Sequence, residues 1–216
     1  HAASFALLVY SSAWLKCHYP AAFYCALLNS QPMGFYSPSQ LIQDARRQGI
    51  NVSPIDIQYS QWDHSLESLP SQPERFALRL GMRLIKGLKR SSVDRICEQR
   101  QQAFTCLHDL QQRCQLRQDE RQKLAAAGAF SCFGEHRYQS QWQSLALDHK
   151  GPLFKNSVAE DLNDGIHLSE AAPMDSLNLD YQYTGLTLGP HPMSLLRADI
   201  ADLKSCLRST DLSQLG

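Results

Sequence analysis

The 216-residue sequence predicts a mainly α fold: a helical opening, a small β-hairpin, then a tandem helix-hairpin-helix region. Three observations predict it. Apolar residues recur at helical spacing over most of the chain. Two short alternating stretches, 62–66 and 76–82, flank Pro70, Ser71 and Pro73 and read as strands joined by a loop. Two glycines, Gly87 and Gly128, each follow an apolar segment and precede a helix. Glycine reaches positive φ without steric cost, as a tight turn between helices requires.

In chain order, residues 2–17 read as a helix that is apolar on most sides and therefore expected to be buried. Pro20 interrupts the pattern and suits the first turn of the next helix, about 21–29. Gln31 to Gly34 form a loop. Ser37 is an N-cap and Pro38 the first residue of a third helix, which runs through Leu41, Ile42 and Ala45 to a stop at Gly49. Residues 50–57 read as extended, ahead of the hairpin. Helices follow at 91–100, from Phe104 with Leu107, Leu110 and Cys114 at helical spacing, at 117–126 and at 137–147. Residues 148–180 are acidic and polar and read as a linker or loosely ordered loop. Apolar content returns over 181–196, broken at Gly189-Pro190-His191-Pro192. The expected division is 1–75, 76–147, 148–180 and 181–216.

The chain carries 21 Lys and Arg against 21 Asp and Glu, but unevenly. Residues 74–137 hold 13 basic and 7 acidic side chains, a net of +6; residues 148–202 hold 3 and 9, a net of −6. A basic middle beside an acidic tail suits an anionic partner, and equally suits two solvated surfaces. The seven cysteines form no CxxC pair, and Cys106-Leu107-His108 lacks a second ligand pair at zinc spacing. Reduced, mostly buried thiols in a cytoplasmic protein are expected. The apolar run 5–10 is broken by Ser11, Ser12 and Lys16, short of a membrane span, and no basic segment precedes it as in a signal peptide. The first residue is His1 rather than Met, with the helical pattern already under way, so a piece of a longer protein is expected.

The chemistry nominated by these residues is anion binding. The first turn of a helix leaves backbone N–H groups unpaired, and a phosphate placed there satisfies them. Lys86, Gly87, Lys89 and Arg90 surround the first turn, within a wider set of Arg79, Arg83 and Arg95. Helix-hairpin-helix turns commonly read Gly-apolar-Gly. Here Lys89 stands where the second glycine would, and could add a phosphate contact of its own. Gly128, Gly134 and Arg137 echo the arrangement with looser spacing. Paired units can grip a duplex backbone without reading bases. A lone glycine turn is common in α proteins, and the Gln-rich middle with its acidic tail keeps a non-enzymatic helical protein-interaction module as the alternative. No catalytic centre is legible. Asp109, Asp119, Glu120, Asp161 and Asp164 do not pair as two-metal carboxylates, and His18, His108, His136 and His191 have no nucleophile partner in sequence.

His1 to Leu8, Trp14 to Phe23, Gly81 to Leu88, Ala127 to Phe130 and Thr187 to Pro192, in this order and spacing, resemble the late fingers segment and the region after it in bacterial replicative polymerase III alpha subunits, the C-family DNA polymerases. Gly34 to Arg47 resembles the error-prone, damage-induced branch. The resemblance implies that 1–75 is a late fingers segment with its hairpin, and that His1 lies near the incoming nucleotide. It implies that Lys86, Gly87, Lys89 and Arg90, with Gly128 and Arg137, hold duplex DNA in a tandem hairpin domain, and that 181–216 leads to an oligonucleotide-binding barrel. It further implies a parent enzyme using Mg2+ and deoxynucleotides in translesion synthesis and DNA repair, with a sliding clamp and damage-response proteins as partners and no membrane. The palm aspartates would lie upstream, leaving this segment inactive alone, with no catalytic residue and no metal site of its own.

Overall fold

In the computed structural model, residues 2–69, 72–134, 136–146 and 168–200 are described. Helices α1 (Ala2–His18), α2 (Pro20–Asn29) and α3 (Pro38–Arg47) precede a three-stranded sheet of β1 (Val52–Ser53), β2 (Ser65–Leu69) and β3 (Gln72–Arg79). A 3-10 turn at Met82–Leu84 leads to α4 (Arg90–Gln99), α5 (Leu107–Cys114) and α6 (Gln118–Ala126). A second 3-10 turn, Ser131–Phe133, leads to α7 (Arg137–Ala146), and α8 (Pro173–Tyr183) and α9 (Pro192–Asp199) complete the described chain. The mainly α class with a small β element is as the sequence predicts.

Local chemistry explains the best-defined boundaries. The Gln40 N–H donates to Ser37 Oγ at 3.3 Å, and the Ser37 N–H donates to Gln40 Oε1 at 3.0 Å. Pro38 supplies the first helical φ and Gly49 the stop at φ +77°. Such a reciprocal cap contributes about 1 kcal/mol.

The sheet differs from expectation in extent. Its central strand β3 pairs antiparallel with β2 and parallel with β1, giving the order β1-β3-β2. The strands lie at 65–69 and 72–79, not 62–66 and 76–82, because Met82 enters the 3-10 turn and the strands pair from Ser65 with Arg79 to Leu69 with Gln72. Val52 and Ser53, in the segment read only as extended, supply the third strand.

One core runs from Tyr24, Leu28 and Ile42 through Leu78, Met82 and Ile85 to Val93, Ile96, Leu110, Leu124 and Phe130. The expected boundary between 75 and 76 therefore cuts a strand within a continuous core, because β2 and β3 are one hairpin. Helix α1 also departs from expectation: Phe5, Leu7, Leu8, Val9 and Tyr10 are each more than 60 % exposed. An all-round apolar helix has no polar face to mark its outside, but burial needs partners on every side, and here α1 packs mainly on α2. Lys16 anchors its end to Asp44 at 2.9 Å. The described thiols are less buried than expected: Cys25 and Cys114 are buried, Cys97 is half-buried, and Cys17, Cys106 and Cys132 are exposed. Residues 173–180, read as loose linker, form most of α8; Leu177 and Leu186 supply buried apolar anchors too sparse to show as a period. No described helix is long and apolar enough to cross a membrane.

Candidate nucleic-acid interface

The Met82–Leu84 turn, the loop through Gly87 and α4 build the first hairpin. Met82, Ile85 and Leu88 are buried, which fixes the loop's inner face. Gly87 has φ +73°, so a side chain there would be strained. Lys86, Gly87, Lys89 and Arg90 are all exposed. Lys89 caps α4 with φ −88° and ψ 140°, an ordinary extended conformation, so this position does not need glycine. No acceptor among the described residues takes the backbone N–H of Gly87, Lys89, Arg90 or Ser91. Unpaired donors beside exposed cations form an anion-binding edge.

Two residues complete this edge that the sequence reading missed. Lys123 Nζ donates to the Gly87 carbonyl at 3.0 Å and pairs with Asp119 at 3.1 Å. Glu120 is almost fully buried, accepts from Ser92 Oγ at 2.5 Å and from the Arg117 N–H at 3.0 Å, and lies 3.7 Å from Arg95. It fastens the start of α6 to the start of α4. A glutamate three residues after Arg117 at a helix start is a legible local signal. The link from Lys123 to Gly87 spans 36 positions and has none.

Arg79 and Arg83 do not belong to the edge. Arg79 forks onto Glu67 at 2.7 and 2.8 Å, and Arg83 serves the Asn29 and Gln31 carbonyls and Asp63. Both brace the sheet side of the molecule.

The second hairpin joins α6 to α7 through Gly128, at φ +76°, and Gly134, at φ +80°. The Ala129 carbonyl accepts from the Ile57 N–H at 2.9 Å, tying the turn to the core. Arg137 lies across Gly128: a Cβ built on that glycine would sit 3.0–3.4 Å from the guanidinium. The same guanidinium pairs with Asp180 at 2.6 Å and donates to the Ser176 carbonyl at 3.0 Å. The structure thus brings Lys86, Gly87, Lys89 and Arg90 together on one open edge, and places Gly128 and Arg137 beneath α8. His1 lies outside the described residues.

Carboxylates and thiols near these elements have ordinary duties. Asp109 accepts from the Thr105 N–H and pairs with Arg113, which together hold its carboxyl below the usual range. Lys123 does the same to Asp119, helped by Arg117. Burial pushes the Cys114 thiol up to about 11, leaving it protonated and unreactive at neutral pH. Among the described residues, no group of three or more His, Cys, Asp or Glu could hold a metal ion. The Mg2+ that the resemblance implies therefore finds no fitting donor set there.

Residues 49–140 match a family model described as a helix-hairpin-helix motif. The chain is 44 % identical over 221 residues to an error-prone DNA polymerase of Pseudomonas fluorescens, covering 98 % of this chain and 21 % of that protein. An error-prone DNA polymerase of Azoarcus is 47 % identical over 205 residues, 93 % of this chain and 19 % of its own. One of Teredinibacter turnerae is 44 % identical over the whole of this chain and 21 % of its own. The chain spans about a fifth of the length of these relatives.

Proposed function

Because the chain belongs to the same family as the bacterial error-prone DNA polymerases, as the counterpart of one segment of them, we propose that it holds duplex DNA by its phosphates at the Gly87 edge. The observation that carries this is the set of unpaired N–H groups at Gly87, Lys89, Arg90 and Ser91, framed by exposed Lys86, Lys89 and Arg90. Such an edge recognises charge and backbone spacing rather than base identity. Gly128 supplies the second turn of the tandem, with Arg137 behind it.

On this reading the edge binds and orients the duplex and does no chemistry. In the parent enzyme, we propose, attack of the primer 3′ hydroxyl on a deoxynucleotide takes place outside this segment, which is inactive alone. Mg2+ belongs to that other site, and no step is assigned to it here. His1 is proposed to lie near the incoming nucleotide. Translesion synthesis and DNA repair in the cytoplasm, with a sliding clamp and damage-response proteins as partners, complete this reading of the parent.

Titration of a labelled duplex by fluorescence anisotropy tests it. Affinity in the micromolar range should fall steeply between about 50 and about 200 mM salt. Salt-independent binding would overturn the proposal. A second reading, docking of a protein partner, is favoured by the exposed apolar residues of α1, a kind of surface that partners cover. It predicts that reversing the charges of Lys86, Lys89 and Arg90 leaves binding intact.

A further inference from the structure

The polar stretch ahead of Tyr181 shows no periodic signal, yet α8 touches both hairpins at once. At its C-terminal end the Tyr183 carbonyl accepts from the Lys86 N–H at 2.9 Å, and the Tyr181 carbonyl accepts from Lys86 Nζ at 2.9 Å. These bonds seat the first turn immediately before Gly87. One residue before Tyr181, Asp180 pairs with Arg137 at 2.6 Å, and Arg137 also donates to the Ser176 carbonyl. These bonds seat the second turn at Gly128. Asp180 is itself fixed, accepting from Thr187 Oγ1 at 2.5 Å. The Arg137 and Asp180 side chains are only 25 % and 15 % exposed. An ion pair so enclosed, with both partners further hydrogen-bonded, has a single geometry.

We propose that α8 is a brace that sets the two hairpin turns relative to each other, with Asp180 as its positioning residue. The inference rests on the duplex-binding reading for its consequence but not for its geometry. Two turns that grip successive phosphates must keep a fixed separation. A rigid pair neutralises more phosphates at once than two independent ones, and the salt dependence of binding counts phosphates neutralised. Arg137 then acts through the turn it covers, while Lys86, Lys89 and Arg90 meet the phosphates.

The test uses the full 216-residue chain with Asp180→Asn, Asp180→Glu and the swap of Arg137→Asp with Asp180→Arg. For Asp180→Asn, duplex affinity should fall about tenfold and the slope of log affinity on log salt should become shallower. Asp180→Glu or the swap should restore the slope. A variant that is merely less stable, with both turns still in place, keeps the original slope in its folded fraction. Tighter binding with a steeper slope in Asp180→Asn would make Asp180 a competitor of phosphate and overturn the brace, as would an unchanged slope. Amide hydrogen exchange without DNA is the independent arm. Exchange should quicken at Lys86 and across 127–134 together in Asp180→Asn; quickening at one turn only, or at neither, overturns the brace. If exchange behaves as expected and the unaltered chain binds no duplex, the DNA reading fails and the brace stands.

Discussion

The two glycine turns have nearly the same backbone and opposite surroundings. Gly87, at φ +73°, is exposed, and the nearest side chain to a built Cβ is the tip of Lys123 at 3.4 Å. Gly128, at φ +76°, lies under a guanidinium held by Asp180 and Ser176. One turn presents its donors outward; the other packs against a charged side chain whose partners are inside the protein. The same backbone can therefore stand open or covered, and the surroundings rather than the glycine decide which.

The comparison can be broken at its shared foundation first. Glu120 links α4, from the open hairpin, to α6, from the covered one. Glu120→Ala removes a buried acceptor of two hydrogen bonds and should cost about 3 kcal/mol in urea unfolding. Its charged neighbours Arg95 and Arg117 are about half exposed, so the loss comes from Ser92 and the Arg117 N–H more than from ion pairing. A cost under about 1 kcal/mol would mean the hairpins are fastened elsewhere.

The open turn has a titrating support. His64 is buried, accepts from the Gly81 N–H at 3.2 Å, and burial lowers its pKa from 6.5 to about 4. The folded state disfavours the protonated ring, so this contribution is complete above the unfolded value. It is lost as pH falls from about 6.5 toward 4, by about 3 kcal/mol at the low end. His64→Gln should flatten that part of the pH–stability curve; an unchanged curve would show that His64 does not support the turn.

The turns themselves separate at smaller effect. Gly128→Ala should cost about 2–3 kcal/mol, from positive φ plus contact with a guanidinium that cannot yield. Gly87→Ala should cost about 1 kcal/mol, because the flexible end of Lys123 can move aside. Equal thermal shifts would erase the contrast. Smallest is Lys123→Met: its ion pair with Asp119 is partly solvated, and a cost under about 1 kcal/mol is expected.

The legible part of the fold is local. The Ser37-Pro38 start and Gly49 stop of α3 need only near neighbours, and the Gly87 and Gly128 turns follow from glycine's own freedom. The division of labour between the turns is not legible. It depends on Asp180 meeting Arg137 across 43 positions (180 − 137) and on Lys123 reaching Gly87 across 36. Helix α8 escapes the sequence for the same reason: its anchoring bonds go to other elements, and of its own residues only Leu177 is buried. For α1 the composition suggests burial, but composition cannot say whether the chain supplies a covering surface.

The most direct measurement is the salt dependence of duplex binding by the unaltered chain and by Lys89→Glu with Arg90→Glu. Both residues are exposed beside the unpaired N–H groups, away from the core. Phosphate binding at the Gly87 edge predicts weaker association and a log–log salt slope smaller by about two, one for each phosphate left without its cation. Binding of the same affinity and the same slope in the charge-reversed chain would contradict it.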